Sequence, residues 1–166
     1  MKKIFALLVV CLVLTSCEAQ TKTEFTKEAL ENVMTTIDNK PITFEEIMNK
    51  YKGQTIFIDV WASWCSDCVK GMPKVKVLQE VHQDLVYLFI SMDKNYESWV
   101  KGIEKYEVKG EHYLTSDGMK GVFGKSIDLD WIPRYMIVDK EGKIAMYKAI
   151  EADDDLIKDT LSTLQN

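Results

Sequence analysis

Residues 56–73 constrain the possible folds of this chain more than any other stretch. An apolar, β-branched run is followed by Trp64-Cys65-Ser66-Asp67-Cys68 and then by a segment of helical length. Two cysteines three positions apart at a helix start face the same way, so their sulfurs can close a small disulfide ring. The unpaired N–H groups and positive dipole of such a helix end stabilise a thiolate on the first cysteine. A thiolate attacks disulfides and a neighbouring thiol resolves the mixed intermediate, which indicates a dithiol–disulfide exchange site.

The length and composition describe an ordinary globular protein. The 166 residues leave room for one domain with its own core, and 46% hydrophobic and 28% charged residues are typical of folded proteins. The formal net charge is −5, and the sequence contains no basic patch. Because nucleic-acid binding requires such a patch, we expect no nucleic-acid partner.

The N-terminus carries a targeting pattern. Lys2 and Lys3 precede an apolar run over 4–14, which is too short to span a membrane comfortably, and a Leu-Thr-Ser sequence then leads to Cys17. This resembles a bacterial lipoprotein signal, whose cysteine becomes lipidated and N-terminal after cleavage. An ordinary secretory signal cut near Ala19 and an uncleaved anchor are the alternatives.

The lipoprotein interpretation divides the chain and assigns its four cysteines. Cys11 leaves with the signal and Cys17 carries the lipid, so Cys65 and Cys68 alone remain for redox work or for a metal. No structural disulfide framework is then possible. The predicted division is a lipoprotein signal peptide over 1–16, a membrane tether over 17–27 and a folded domain over 28–166.

The predicted elements follow one another as in an α/β fold. A buried strand over 55–61, a helix from Cys65 to about residue 83 and a second buried strand over 85–92 imply a right-handed parallel crossover. Further patterns predict a capping box over 43–46, an amphipathic helix over 93–106, a short strand over 112–115, a helical turn over 118–123, a hairpin over 136–147 with Gly142 in its turn, and a last helix over 153–164.

Together these features resemble the thioredoxin superfamily, and in particular its TlpA/ResA-like thiol–disulfide oxidoreductases, many of which are exported and membrane-tethered. The resemblance covers residues 38–164. It rests on the strand, the 61–68 motif, the helix containing Pro73, and Ile132-Pro133 before a hairpin. It implies a thioredoxin-like fold, a central mixed β-sheet flanked by helices, with a helix-strand insertion between the second βα unit and the cis-Pro hairpin.

The resemblance also assigns roles at the site. Cys65 is implied as the attacking nucleophile and Cys68 as the resolving cysteine, with no cofactor beyond the redox-active disulfide between them. Asp59, six residues before Cys65, matches a buried carboxylate of thioredoxin. Burial raises the pKa of a carboxyl group, so Asp59 can exchange a proton with Cys68. The alternative is a solvated residue at a strand end.

The residues expected to bind substrate surround the two cysteines. Pro133 matches the cis-proline of the family, and the backbone of Ile132 before it is expected to dock a substrate strand. Trp64 is expected to shield the site. Ser66 and Asp67, which lie between the cysteines, are also expected to bind substrate.

Two positions depart from the family pattern. Asp67 stands where proline is common, and its negative charge beside Cys65 opposes thiolate formation, which favours a reducing couple. Gly71 stands where many TlpA-like proteins carry an acid, three residues after the second cysteine. We therefore expect this chain to tune its site with Asp59 and Asp67.

The leading hypothesis is a lipid-anchored thiol–disulfide oxidoreductase of the cell envelope or periplasm that reduces disulfides of exported proteins. A membrane thiol-transfer protein is its implied electron donor. Cytochrome c maturation is the best-known duty of the family, but no residue here selects it. The alternative is a copper(I)-binding or delivery module using the same cysteine pair. Neither His82 nor His112 has zinc-like spacing to the cysteines, so we expect no resident metal.

Overall fold

The computed structural model describes residues 22–115 and 117–165, which form one seven-stranded mixed sheet with helices on both faces. The strands lie in the order β2-β1-β5-β4-β3-β6-β7. The elements are α1 (Lys27–Leu30), β1 (Val33–Thr36), β2 (Pro41–Thr43), α2 (Phe44–Lys50), β3 (Ile56–Trp61), α3 (Ser66–Val81), β4 (Val86–Ser91), α4 (Tyr96–Tyr106), β5 (Glu111–Leu114), α5 (Val122–Ser126), β6 (Arg134–Val138), β7 (Ile144–Ala149) and α6 (Asp155–Leu164).

The centre of the sheet is the crossover expected from the sequence. All residues of β3 and β4 are buried, and the two strands are parallel and joined by α3. Strand β6 lies antiparallel on the other side of β3. Because β3 is covered on both faces and both edges, its carboxyl end is a fixed platform for the start of α3.

The predicted insertion is present between β4 and the cis-proline hairpin. It consists of α4, of β5, which pairs parallel with β4, and of the short helix α5. On its outer edge β5 pairs antiparallel with β1, so the insertion joins the N-terminal hairpin to the central sheet. The thioredoxin-like α/β prediction is confirmed, including this addition.

The local signals of the sequence also act as expected. Thr43 and Glu46 form a reciprocal capping box at the start of α2. Gly142 has a φ of 86° in the β6–β7 turn, a conformation that glycine adopts without steric cost. Asp154 caps α6, with Asp155 in its first turn near the positive end of the helix dipole.

The packed part of the chain includes residues that the sequence assigned to the tether. The Lys22 ammonium donates to the Ser126 carbonyl, the Thr23 carbonyl accepts from the Ile144 N–H, and Phe25 packs edge-on against a buried phenylalanine of α2. The packed chain thus begins before the predicted boundary at residue 28. The signal over 1–16 and the lipidation of Cys17 lie outside the described residues and stay predictions.

Candidate active site

Cys65 and Cys68 lie at the start of α3 and are joined in a disulfide. Cys65 is the N-cap residue, and its Sγ accepts a hydrogen bond from the Cys68 N–H at 3.1 Å. Cys65 is 7% exposed and Cys68 only 1%. A substrate can therefore reach Cys65 and not Cys68. This agrees with an attacking role for Cys65 and a resolving role for Cys68.

The peptide bond between Ile132 and Pro133 is cis, as expected from the family resemblance. The Ile132 carbonyl oxygen lies 3.6 Å from the Cys65 sulfur. Pro133 has no N–H to donate, so the backbone beside the disulfide presents carbonyl acceptors to an approaching chain. The geometry brings together three of the predicted site residues, and the docking role of Ile132 stays a prediction.

Asp59 lies in the middle of β3 and is only 1% exposed, so it is not the solvated strand-end residue of the alternative reading. Its Oδ1 atom has no hydrogen-bond partner among the described residues. Loss of solvation raises the pKa of this carboxyl from 3.8 to about 8. Asp59 can therefore hold or release a proton near neutral pH. Its exchange with Cys68 stays a prediction.

Tyr135 contributes a hydroxyl to this region that sequence reasoning missed. Tyr135 is paired with Asp59 across β3 and β6, and directly opposed residues point to the same face of a sheet. A Cβ atom at Gly71 of α3 would lie 2.6 Å from the Tyr135 hydroxyl oxygen. The tyrosine therefore occupies the space beside α3 that a side chain at position 71 would need, which gives a steric reason for glycine there.

A buried carboxylate fixes the loop that precedes Cys65. Asp93, 1% exposed, accepts hydrogen bonds from the Ser63 N–H at 2.9 Å, the Ser63 hydroxyl at 2.6 Å and the Ser91 hydroxyl at 2.7 Å. These bonds tie the end of β4 to the segment between β3 and α3. Sequence reasoning missed this contact because the partners are 30 residues apart in the chain.

Arg134 fixes the loop before the cis-proline, as Asp93 fixes the loop before Cys65. Its side chain is fully buried, and its guanidinium donates to the Ile127 carbonyl at 3.0 Å, to the Asp128 carbonyl at 3.4 Å and to the Asp130 carboxylate. As the neighbour of Tyr135 in a strand, Arg134 points to the opposite face of the sheet. It holds the loop that leads into the cis bond.

The remaining predicted residues, apart from Pro133, line a surface groove at the disulfide. Trp64 is 62% exposed, Ser66 and Asp67 are exposed, and Asp67 is paired with Lys70 at 3.1 Å. The groove encloses about 390 Å³ and is lined by Trp64, Cys65, Ser66, Asp67, Met119, Asp130, Trp131 and Ile132. Pro133 instead lines a neighbouring cleft with Gly71 and Tyr135.

The grouping of potential metal ligands bears on the copper hypothesis. Within residues 22–115 and 117–165, no three His, Cys, Asp or Glu side chains are grouped so that they could hold a metal ion. Over the same residues, no helix has both the length and the apolar character needed to cross a membrane. A copper site on Cys65 and Cys68 therefore has no third such ligand within the described part of the chain.

Comparison with known proteins places the chain in a family. The model of the family described as Thioredoxin-like matches residues 53–144, more than half of the sequence. The thiol-disulfide oxidoreductase ResA of Bacillus thuringiensis subsp. konkukian is 26% identical over 125 residues, which cover 74% of this chain and 68% of that protein.

Solved structures agree with this assignment. A candidate thiol-disulfide oxidoreductase from Bacteroides vulgatus is 27% identical, with a TM-score of 0.67 over 80% of this chain and 85% of that one. A thiol-disulfide oxidoreductase from Bacteroides fragilis shares the fold at 18% identity, with a TM-score of 0.67 over 80% of this chain and 95% of that one.

Fold, disulfide and relatives together define a thiol–disulfide oxidoreductase. The chain belongs to the Thioredoxin-like family, and its curated relatives include ResA proteins. The cysteine pair at the start of α3 and the cis-proline loop that faces it are the parts of the structure that fit this activity.

Proposed function

We propose that this protein is anchored outside the cytoplasm by a lipid on Cys17 and reduces disulfides of exported proteins. The observation that carries the redox role is the Cys65–Cys68 disulfide at the N-terminus of α3, with the cis peptide against the Cys65 sulfur. The lipoprotein-like N-terminus supports the anchor. The similarity to ResA proteins supports a role in the cell envelope.

The reaction begins from the reduced pair. The Cys65 thiolate attacks one sulfur of a substrate disulfide, which forms a mixed disulfide and releases the other substrate sulfur as a thiolate that takes up a proton. The positive end of α3 and the Cys68 N–H stabilise the negative charge on Cys65 before attack. The carbonyl of Ile132 offers the substrate backbone an acceptor beside the reacting sulfur.

The second step returns the structure seen here. Asp59, ionised in a fraction of molecules near neutral pH, takes the proton of the Cys68 thiol. The Cys68 thiolate then attacks the Cys65 sulfur, closes the Cys65–Cys68 disulfide and expels the second substrate thiol. The protein has lost two electrons to the substrate. We propose a membrane thiol-transfer protein as the reductant that restores the dithiol.

The direction of electron flow is tested by the reduction potential of the Cys65–Cys68 couple against glutathione. We expect a value near that of thioredoxin, about −270 mV, or lower. A value near that of the strong oxidant DsbA, about −120 mV, would contradict the reductase proposal and the expected influence of Asp67.

Substrates and anchoring need an experiment in the producing cell. A Cys68→Ser variant cannot resolve its mixed disulfide, so exported proteins should accumulate in bonds to Cys65 that dithiothreitol releases. A Cys65→Ser, Cys68→Ser double variant is the matched control.

The lipid anchor is tested with Cys17→Ala. This variant should either leave the membrane fraction or stay in it as the longer, uncleaved precursor. If Cys17→Ala stays membrane-bound at its mature size, the lipid anchor is wrong.

A further inference from the structure

The distribution of tryptophans singles out the groove beside the disulfide. The chain has four, of which Trp61 and Trp99 are fully buried in the core. The other two, Trp64 and Trp131, are 62% and 59% exposed, and both line this groove. Large aromatic side chains left exposed together beside a reactive atom mark a binding surface more often than a structural one.

The two exposed indoles line the same groove as the sulfur that attacks. Trp64 immediately precedes Cys65, and Trp131 immediately precedes Ile132, whose carbonyl lies 3.6 Å from the Cys65 Sγ. Half-buried Met119 adds a flexible apolar side chain to the same groove. Because Cys65 itself lines the groove, the residues beside an attacked substrate cysteine lie close to it.

Both indoles are carried on backbone that the core holds in place. Ser63, next to Trp64, is bonded to the buried Asp93 through its N–H and its hydroxyl. The loop before Trp131 is held by the buried guanidinium of Arg134. A surface fixed before binding loses little conformational entropy when a ligand arrives, which favours recognition.

Charge does not dominate this groove although two carboxylates lie in it. Asp67 is paired with Lys70 at 3.1 Å, and Asp130 is paired with Arg134 and, at 2.7 Å, with Lys148. Each carboxylate thus has a basic partner, so the groove has no strong net charge to attract a charged side chain, and its apolar surface is the feature left to select a neighbouring residue. A neighbouring apolar side chain therefore fits it better than a basic one.

We propose that Trp64 and Trp131 select disulfides whose attacked cysteine is flanked by a large apolar or aromatic residue. That side chain lies between the two indoles, against Met119, while Cys65 forms the mixed disulfide and the departing substrate thiolate takes a proton from water. This inference deepens the proposed function, on which it rests, by naming the substrate class of the same site.

The test compares two blocked peptide disulfides that differ at one position. The symmetric dimers of acetyl-Gly-Phe-Cys-Gly-amide and acetyl-Gly-Ser-Cys-Gly-amide are mixed with reduced full-length protein in mild detergent. The protein carries Cys11→Ser and Cys17→Ser so that only the active-site thiols react. The second-order rate constant comes from acid quenching and chromatography of the released peptide thiol. Hydroxyethyl disulfide, which has no flanking side chain, is measured alongside.

We expect the Phe peptide to react about tenfold faster than the Ser peptide. Trp131→Ala should bring the ratio of the two rate constants close to one, and Trp131→Phe should keep most of it. The control is Val77→Ala, which trims an exposed apolar residue of α3 outside the groove and should leave the ratio unchanged.

The other outcomes separate the two proposals. Equal rates for both peptides, or a preference that survives Trp131→Ala, overturn the selection by the indoles and leave thiol exchange standing. No reaction with any of the three disulfides overturns the proposed reductase function itself. A preference lost equally in Val77→Ala would also overturn the selection by the indoles, because the preference would then not depend on the groove.

Discussion

Replacing Asp59 with asparagine should stabilise the protein, and the gain should grow as the pH rises. The pKa of this buried carboxyl is raised from 3.8 to about 8 by loss of solvation. Between these two pH values the folded protein therefore keeps a proton that the unfolded chain has already released. Unfolding is favoured by that release, so the stability of the wild-type protein falls as the pH rises through this window. Asparagine at the same position does not titrate.

The size of the effect follows from the same two pKa values. A difference of one pKa unit between folded and unfolded states corresponds to about 1.4 kcal/mol. The loss of unfolding free energy caused by Asp59 is thus small below about pH 4 and reaches about 4 kcal/mol at pH 7. Above about pH 8 the carboxyl is ionised in both states and the loss levels off at roughly 5 to 6 kcal/mol.

Urea denaturation at several pH values measures this directly. Wild type and Asp59→Asn are compared with the disulfide intact in both, so that the difference in unfolding free energy isolates position 59. We expect that difference to increase by about 4 kcal/mol between about pH 5 and pH 8. Asp38→Asn, at an exposed turn carboxylate, serves as the control. A difference for Asp59→Asn that does not change with pH would refute the argument.

Further substitutions test three contacts described above, all by urea denaturation. Gly71→Ala should cost about 1 to 3 kcal/mol, more than alanine gains in a helix, because its Cβ meets the Tyr135 hydroxyl at 2.6 Å. Adding Tyr135→Phe to Gly71→Ala should cancel that loss, since the next tyrosine atom lies 3.9 Å from the Cβ position. A double variant as unstable as Gly71→Ala alone would count against the steric reason. Arg134→Ala should cost about 3 kcal/mol by leaving a cavity and two carbonyls without their donor. A loss below about 1 kcal/mol would mean that the loop holds itself. Thr43→Ala should cost about 1 kcal/mol through loss of the α2 cap, and an unchanged midpoint would contradict that assignment.

The parts of this structure that the sequence predicts are those governed by neighbours in the chain. The apolar run of β3, the cysteines at the start of α3 and the capping box of α2 depend on residues a few positions apart. Errors at element ends are local as well. The helix predicted from residue 93 begins at Tyr96, because the side chain of Asn95 accepts from the Ser98 N–H and caps it there.

The parts that could not be predicted depend on which strands pair and in which register. Gly71 appeared only as a departure from the family pattern, because its steric partner Tyr135 lies on a distant strand. Arg134 is buried on the face opposite Tyr135, and no pattern near it indicates the carbonyls that it binds. The exposure of Trp131 follows from the path of the loop before the cis bond. Each of these facts requires the assembled sheet.

The capping of α3 by a cysteine makes the first turn of this helix a participant in the redox cycle. Most helices are capped by an oxygen that never reacts. Here the acceptor is the Cys65 sulfur, which carries a negative charge as a thiolate and none once it is part of a disulfide. A thiolate is a stronger acceptor than a sulfur in a mixed disulfide, so the helix start is held most firmly when the protein is ready to attack. The free energy of forming this helical turn and the reduction potential of the cysteine pair are therefore thermodynamically linked. A substitution that steadies this turn around a negative charge should also shift the protein toward its reduced form.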